Sequence, residues 1–220
     1  MKKLLITPYF GPFPEWMDKY LEHIKHVNQY GYDWLITTDE EDFSRRVQEV
    51  LGFVPTIRPG TPLIHNYRTA YGLLYADKLK DYDFWGITDF DCVYGKIDNF
   101  ITDSMLEKLD IHSNHHNYIC GPWTLFRNID KVNNLFRLVP QWEGQMRSLD
   151  TQPGRWTEVE YSQMIDEQHN AGNINRLYTH FQGKDPNDDS AVTFKDGKLY
   201  DHGDEIFMFH FNRNKRYPLK

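Results

Sequence analysis

One short segment constrains the fold of this chain more than any other. Residues 83–91 read Asp-Phe-Trp-Gly-Ile-Thr-Asp-Phe-Asp, an apolar run that ends in Asp89 and Asp91. A buried strand does not tolerate unpaired carboxylates in its interior, so the two acidic residues belong at its exit, where the chain meets solvent. Two carboxylates there form a hard oxygen site for a divalent cation such as Mg²⁺ or Mn²⁺. At a strand end of an α/β protein, such a cation typically serves a phosphate-bearing ligand.

The N-terminal half of the sequence alternates between strand and helix patterns. Predicted strands cover residues 4–7, 34–36, 53–57 and 84–88, and predicted helices cover 14–30, 38–52 and the stretch around 64–74. The second helix begins at a capping box formed by Thr38 and Glu41. This alternation predicts an α/β fold with a mostly parallel, Rossmann-like central sheet and flanking helices. Thr7, Asp39 and Asp89 lie at or just beyond strand ends, and we expect them to converge on one crevice.

The C-terminal half has a more mixed pattern. Asp103 or Ser104 is predicted to cap a short helix, and Thr157 with Glu160 forms a capping box for a helix that ends near 170. The other predicted elements are a strand at 118–127, a helix at 129–138, a loop at 141–154, a hairpin turning at 196–197 and a final strand at 206–211. Nothing marks an internal boundary, so we expect a single domain over residues 1–220.

Charge, cysteine content and apolar stretches narrow the functional class. A net charge of −7 over 220 residues argues against bulk nucleic-acid binding, which needs a basic face. The two cysteines, Cys92 and Cys120, are expected to be buried free thiols in a reducing compartment. The apolar start at 4–6 stops at Thr7 and Pro8, well short of an export signal, and no stretch approaches a membrane span. These features predict a cytoplasmic protein without a transmembrane segment.

Five segments carry a family resemblance when they are taken in order. They are Thr-Pro-Tyr-Phe-Gly (7–11), Thr-Thr-Asp (37–39), Phe-Trp-Gly-Ile-Thr-Asp-Phe-Asp-Cys-Val-Tyr-Gly (84–95), Gly-Pro-Trp-Thr-Leu-Phe-Arg-Asn (121–128) and Phe-Met-Phe-His-Phe-Asn-Arg-Asn-Lys (207–215). The ordered set spans most of the chain and resembles bacterial and viral glycosyltransferases of the GT-A fold. It is more specific than Asp-x-Asp alone, which is common by chance.

The resemblance implies a metal-dependent transferase that moves a sugar from a nucleotide-diphosphate sugar, such as a UDP-sugar, to a saccharide or other hydroxyl acceptor. Residues 1–100 would bind the nucleotide and residues 101–220 the acceptor. Donor and nucleotide binding would involve Thr7, Tyr9, Phe10, Asp39, Arg68, Asp89, Arg213 and Lys215. Mn²⁺ or Mg²⁺ would be held by Asp89, Asp91 and His210. A metal and a cationic side chain suit this chemistry, because charge develops on the departing nucleoside diphosphate.

The acceptor side carries one candidate base and two candidate sugar-binding rings. Glu158 opens a predicted helix without a capping duty, whereas Glu160 belongs to the capping box and is set aside. In the enzymes that the chain resembles, an acidic residue in this region contacts the acceptor or acts as base. A base there would deprotonate the acceptor hydroxyl and imply inversion at the anomeric carbon. Trp123 and Trp156 are predicted to stack on acceptor sugars, with core packing as the alternative for each.

Three histidines in the middle of the chain form a second possible cluster. The spacing of His112, His115 and His116 matches no standard metal template. We therefore expect them in a solvated loop.

Other classes of protein also carry acidic residues after a strand or aromatic residues that bind sugars. A haloacid-dehalogenase-like phosphatase is rejected, because Cys92 and Val93 follow Asp91 where that family needs Gly-Thr. A sugar nucleotidyltransferase would carry a Gly-rich, basic loop after the first strand, and residues 10–13 are neither. A non-catalytic carbohydrate-binding domain would keep the aromatic residues without a metal and diphosphate site. The last two classes remain as alternatives.

Overall fold

The computed structural model describes residues 1–28, 30–55, 57, 62–148, 155–181, 183–184 and 192–211. The strands are β1 (Lys3–Pro8), β2 (Tyr32–Thr37), β3 (Phe84–Thr88), β4 (Cys92–Tyr94), β5 (Ile111–Ser113), β6 (Trp123–Arg127), β7 (Arg176–Tyr178), β8 (Gly183–Lys184), β9 (Thr193–Lys195), β10 (Lys198–Asp201), β11 (Asp204–Ile206) and β12 (Met208–His210). The α-helices are α1 (Met17–Asn28), α2 (Glu40–Leu51), α3 (Tyr71–Leu74), α4 (Asp103–Leu106), α5 (Asp130–Asn133), α6 (Trp142–Arg147), α7 (Arg155–Glu158) and α8 (Glu160–Asn170). Short 3₁₀ helices lie at Pro62–Ala70, Ile97–Asn99 and Leu135–Leu138. In this part of the chain, no helix combines the length and the apolar composition that a bilayer crossing requires.

The central sheet, as far as the described residues show it, has six strands in the order β2-β1-β3-β6-β5-β7. β1 is parallel to β2 and β3, and β5 is parallel to β7, whereas β6 is antiparallel to both of its neighbours. All strands except β6 therefore run in one direction, and their carboxyl ends lie along one edge of the sheet. The predicted α/β fold with a mostly parallel, Rossmann-like central sheet is confirmed.

The central strands of this sheet are buried on both faces, and they show why the sequence is apolar there. Leu4 and Ile6 of β1 belong to one hydrophobic cluster, whereas Leu5, which points to the opposite face, belongs to another. Gly86 of β3 has no space for a side chain, because a Cβ there would lie 2.6 Å from Cδ2 of Leu5. A strand that is covered on both faces is apolar at every position. The continuous apolar run at 84–88 is thus the sequence of a central strand.

Two smaller three-stranded sheets are built from the later part of the chain. One has the order β4-β12-β8 and the other the order β11-β10-β9. β12 is antiparallel to β4, which begins one residue after Asp91. This pairing places the last described strand against the segment that leaves β3.

Several predicted elements are confirmed. β1, β2 and β3 coincide with predicted strands, and α1 lies within the predicted helix 14–30. The hairpin between β9 and β10 turns at Asp196 and Gly197, which have φ values of 53° and 75°. Positive φ at both positions is what a two-residue hairpin loop requires. Cys92 and Cys120 are buried free thiols, as expected.

Two helix starts differ from the predicted caps. Asp39 rather than Thr38 caps α2, since its carboxylate accepts a 2.9 Å hydrogen bond from the Asp42 N–H. Thr157 lies inside α7 and forms no capping box with Glu160. In each case several neighbouring residues are able to cap, and the backbone path into the helix selects among them.

Three further local predictions differ from the structure. Thr102, whose backbone is still extended, caps α4 in place of either of the next two residues. Residues 53–55 and 57 form no strand, and Val54 is 64% exposed. The predicted loop at 141–154 contains α6, because Trp142 packs against Phe136 and the main core.

Candidate functional site

A cleft of about 580 Å³ opens at the carboxyl edge of the central sheet. The ends of β1 and β3, the 3₁₀ helix Pro62–Ala70 and the last residue of β12 contribute to its lining. Ligands of open α/β sheets collect at this edge. The predicted site residues that line the cleft are Thr7, Tyr9, Phe10, Arg68, Asp89, Asp91 and His210.

An ion pair between Arg68 and Asp89 occupies one side of the cleft, which we call the helical side. The guanidinium donates a hydrogen bond to the carboxylate, and the two side chains are only 10% and 20% exposed. Gly121 lies so close that a Cβ at this position would collide with the Arg68 guanidinium. The Asp89 carboxylate is therefore held by a cation of the protein itself, and the glycine before β6 makes room for that cation.

Asp91 and His210 meet on the other side of the cleft, which we call the strand side. His210 Nε2 lies 3.2 Å from Asp91 Oδ1, and the Phe211 N–H donates a 2.8 Å hydrogen bond to the Asp91 carbonyl. The register of β4 and β12 sets His210 opposite Cys92. Donor atoms of Asp91, Cys92 and His210 all lie within 4.8 Å of one another. A carboxylate, an imidazole and a thiol at these separations fit a divalent cation, and Asp89 is not part of this group.

Cys92 forms the buried end of the strand side. It has no exposed surface, and the loss of hydration raises the pKa of its thiol well above the usual value. The negative charges of Asp91 and Asp89 raise this pKa further, whereas a hydrogen bond with the Tyr94 side chain lowers it. The thiol is thus neutral unless a cation takes the place of its proton.

Glu158, the predicted base, ends α7, which packs against the 3₁₀ helix that carries Arg68. Its side chain is exposed, and the partial loss of hydration near the surrounding groups raises the pKa of its carboxyl. Arg68 lowers that pKa and Asp89 raises it, so Glu158 lies within the field of the ion pair. Glu160 opens α8 without a capping box, so the reason for setting it aside does not hold.

Aromatic residues that follow β1 form the apolar part of the cleft region. Tyr9 stacks on Phe13 with ring centroids 5.6 Å apart and meets Phe90 edge-on at 4.8 Å. Phe10 packs against Phe43 at 5.5 Å. A wall of rings beside charged groups suits a ligand that has a flat part and an anionic part.

His65 lines the cleft but is absent from the sequence-based predictions. It lies one 3₁₀ turn before Arg68, and side chains three residues apart share a face in such a helix. The spacing of three would have indicated the pair if the segment had been recognised as a 3₁₀ helix. Thr7, which was predicted, is buried, and its hydroxyl donates to the Thr88 carbonyl at 3.4 Å.

In the described part of the chain, four predicted site residues do not line the cleft, namely Asp39, Trp123, Trp156 and Glu158. Asp39 is exposed and caps α2. Trp123 and Trp156 are 0% and 3% exposed and belong to hydrophobic clusters. A ring without an exposed face cannot stack on a sugar, so both are core residues, contrary to the acceptor-binding prediction. Arg213 and Lys215 lie outside the described residues.

The three histidines of the middle segment separate into two environments. His112 is fully buried in β5 rather than in a loop, with Nε2 3.0 Å from the Thr179 hydroxyl. Burial lowers the pKa of His112 to about 4. His115 and His116 lie after β5 in the expected loop, with their rings stacked at 4.3 Å. Within the described residues, none of the three belongs to a group that could hold a metal.

The sequence matches one family model, and the fold has a distant structural likeness. The family is described as "Family of unknown function (DUF6625)", and its model matches residues 41–203. That range contains Arg68, Asp89, Asp91 and Glu158. No curated protein matches the sequence. A solved glycosyltransferase involved in the glycosylation of the major capsid of PBCV-1 is similar to this chain, with 14% identity, a TM-score of 0.49, and coverage of 84% of this chain and 85% of that one.

Proposed function

We propose that this chain, which belongs to the family of unknown function DUF6625, is a metal-dependent glycosyltransferase. In the proposed reaction, a sugar moves from a nucleotide-diphosphate sugar, such as a UDP-sugar, to a hydroxyl of a saccharide or other acceptor. The observation that carries the proposal is the pair of charged sites in one cleft, Arg68 with Asp89 and Asp91 with His210. A cationic side chain beside a metal site is what binding and release of a diphosphate require.

The donor would lie between the two sides of the cleft. A Mn²⁺ or Mg²⁺ ion bound by Asp91 and His210 would supply positive charge to the diphosphate. Arg68 would stabilise the same group from the helical side, and Asp89 would orient Arg68 and accept a hydrogen bond from a sugar hydroxyl of the donor. The aromatic rings around Tyr9 would face the nucleobase of the donor and exclude water.

Glu158 is the proposed base. It would take the proton of the acceptor hydroxyl while that oxygen forms its bond to the anomeric carbon. The bond between the anomeric carbon and the diphosphate oxygen would break, and the nucleoside diphosphate would leave with the electron pair. Attack by an external hydroxyl in one step inverts the anomeric carbon. A carboxyl with a raised pKa suits this role, because a stronger base accepts the proton more readily.

Arg213 and Lys215 complete the proposed donor site. They follow His210, which lines the cleft, by only three and five residues. We assign them the stabilisation of the leaving nucleoside diphosphate.

Isothermal titration calorimetry on the full chain tests the proposal. UDP, GDP and ADP are titrated with and without Mn²⁺, and a panel of saccharides is titrated alone. We expect one nucleoside diphosphate to bind tightly, and only with the metal present. A transfer assay with the matching nucleotide sugars then measures release of the diphosphate in the presence of saccharide acceptors.

The alternatives give different results in the same experiments. A carbohydrate-binding domain binds a saccharide and no nucleoside diphosphate. A sugar nucleotidyltransferase releases pyrophosphate from a nucleoside triphosphate and a sugar phosphate, and it does not form a glycosidic bond. Either result would overturn the proposed transfer.

A further inference from the structure

The strand side of the cleft contains a donor atom that an all-oxygen metal site would not have. Cys92 Sγ, a carboxylate oxygen of Asp91 and a ring nitrogen of His210 lie within 4.8 Å of one another. The antiparallel register of β4 and β12 places the cysteine and the histidine directly opposite each other. Cross-strand partners of this kind point to the same face of a sheet. The proximity therefore follows from strand pairing and not from the position of one flexible side chain.

The burial of the three side chains suits an ion that enters from the cleft. The Asp91 and His210 side chains are 16% and 28% exposed and line the cleft, whereas Cys92 is closed off from solvent. An ion that reaches the two exposed ligands meets the sulfur on its protein side. Its outer side stays open to water or to a diphosphate oxygen, as in metal sites that bind a substrate.

Asp89 is poorly placed to serve as the third ligand in this conformation. Its carboxylate is paired with the Arg68 guanidinium on the helical side. Ligation by Asp89 would separate that pair and leave a largely buried guanidinium without its partner, which is costly. Cys92 needs no such rearrangement.

We propose that Asp91, Cys92 and His210 form a mixed oxygen, sulfur and nitrogen site that binds Zn²⁺ and Co²⁺ more tightly than Mg²⁺. A thiolate and an imidazole favour these ions, whereas Mg²⁺ prefers oxygen ligands in an octahedral arrangement. On binding, the Cys92 S–H bond breaks, the sulfur–metal bond forms and the proton is released to solvent. The role of the ion in this site rests on the proposed glycosyl transfer. The set of ligands does not, because it follows from the geometry of the three side chains.

Cobalt spectroscopy on the full chain tests the ligand set directly. Co²⁺ alone is titrated into the wild type, Cys92→Ser and Cys120→Ser, and the near-ultraviolet thiolate-to-cobalt charge-transfer band is recorded. Cys120 is the matched control, because it is the other buried free thiol and lies outside the three-residue group. We expect the band in the wild type and in Cys120→Ser, and its absence in Cys92→Ser. We also expect Cys92→Ser to weaken Co²⁺ binding by at least ~100-fold, since loss of an outer-shell partner already costs about 10–100-fold.

Two measurements on the wild type keep the proposal testable if Cys92→Ser does not fold. X-ray absorption of the Zn²⁺-loaded protein is expected to show one sulfur neighbour at about 2.3 Å. Competition with Mg²⁺ is expected to show at least ~100-fold tighter binding of Co²⁺. A wild type that binds Co²⁺ without a charge-transfer band, or that binds Mg²⁺ equally well, would overturn the site.

Failure of this inference and failure of the proposed function give different results. If nucleoside diphosphate binding requires a metal but no sulfur ligates it, the glycosyl transfer stands and the role of Cys92 does not. If sulfur ligates the ion but no nucleoside diphosphate binds, the metal site stands and the proposed transfer does not.

Discussion

The helical side and the strand side of the cleft hold their acidic residues in different ways. Asp89 is paired with Arg68, a cation that the 3₁₀ helix supplies. Asp91, two residues later, lies beside the imidazole of His210 and the thiol of Cys92. The first carboxylate is paired with a guanidinium, and the second lies among groups that are able to share a metal ion.

The difference shows that the two acidic residues of an Asp-x-Asp segment need not share one task. A carboxylate with a guanidinium partner gains little from an added cation, because its charge is balanced. A carboxylate beside a histidine and a cysteine gains much more. In this cleft we therefore expect the donor contact and the metal contact to be separable by mutation.

Asp91→Ala is expected to have the largest effect. It removes the only carboxylate of the three-residue metal group, so metal-dependent donor binding and transfer should both fall below detection. Calorimetry with Mn²⁺ and nucleoside diphosphate measures the first, and the transfer assay measures the second. Asp81→Ala, a change of the same type at an exposed position, should behave as the wild type. A fully active Asp91→Ala protein would refute the assignment of the strand side.

Glu158→Gln is expected to slow transfer by about 10²–10⁴-fold, the usual contribution of a general base, while leaving donor affinity unchanged. The raised pKa of Glu158 also predicts how the wild-type rate depends on pH. As pH falls, Glu158 takes up its proton at a higher pH than an ordinary glutamate does, and the rate falls with it. Rate against pH should show this acid limb in the wild type and lack it in Glu158→Gln.

Glu160→Gln provides the comparison for that experiment. Glu160 opens the next helix but is two residues away from Glu158 in sequence. A slow Glu160→Gln variant beside a normal Glu158→Gln variant would move the base to Glu160. A collapse of donor affinity in Glu158→Gln would show instead that Glu158 holds the donor.

Arg68→Ala is expected to lower the free energy of unfolding by about 3 kcal/mol, because it leaves the Asp89 carboxylate mostly buried without its partner. It should also raise the pKa of Glu158 further, since Arg68 lowers that pKa in the wild type. The acid limb of the rate should then move to higher pH. Urea unfolding and rate against pH measure the two effects.

Arg68→Lys separates charge from geometry on the helical side. Lysine keeps the positive charge but loses the planar fork of the guanidinium. We expect a smaller loss of stability than in Arg68→Ala. The acid limb of the rate, which reports the protonation of Glu158, should lie at a pH close to that of the wild type. Equal losses in both variants would show that the charge is unimportant and that the shape of the arginine matters.

Asp39 gives the smallest expected effect and a reference for a carboxylate with a local task. Asp39→Ala should cost about 1 kcal/mol of stability through loss of the α2 cap, whereas Asp39→Asn keeps a capping side chain and should cost much less. Neither variant should change donor affinity, because Asp39 does not line the cleft. Weaker donor binding by Asp39→Asn, at unchanged stability, would restore the predicted role of Asp39 in nucleotide binding.

Local sequence patterns predicted the structure correctly where a single strand or a single turn decides it. The apolar run of β3 predicted both a central strand and acidic residues at its exit, because burial on two faces excludes polar residues until the chain emerges. The hairpin at Asp196 and Gly197 followed from turn chemistry in the same way. Choices among equivalent neighbours, such as Thr38 and Asp39 as helix caps, were not decided by the local sequence.

The aromatic residues show most clearly that the local sequence does not predict whether a side chain faces the core or the cleft. Trp123 and Trp156 have the composition of a sugar platform, but both are buried in the core. Tyr9 has the same character and lines the cleft. Whether a ring faces the core or a ligand depends on the elements that pack over it, and these come from distant parts of the chain.

The amino-acid sequence by itself determined the alternating α/β pattern, the central strand and the acidic pair at its end, because each rests on interactions between near neighbours. Only the tertiary structure decided the partner of each acid. Arg68 reaches Asp89 across 21 residues, and β12 brings His210 to Asp91 and Cys92 from the far end of the described chain. Such long-range contacts depend on sheet order and strand register, which a one-dimensional pattern does not contain.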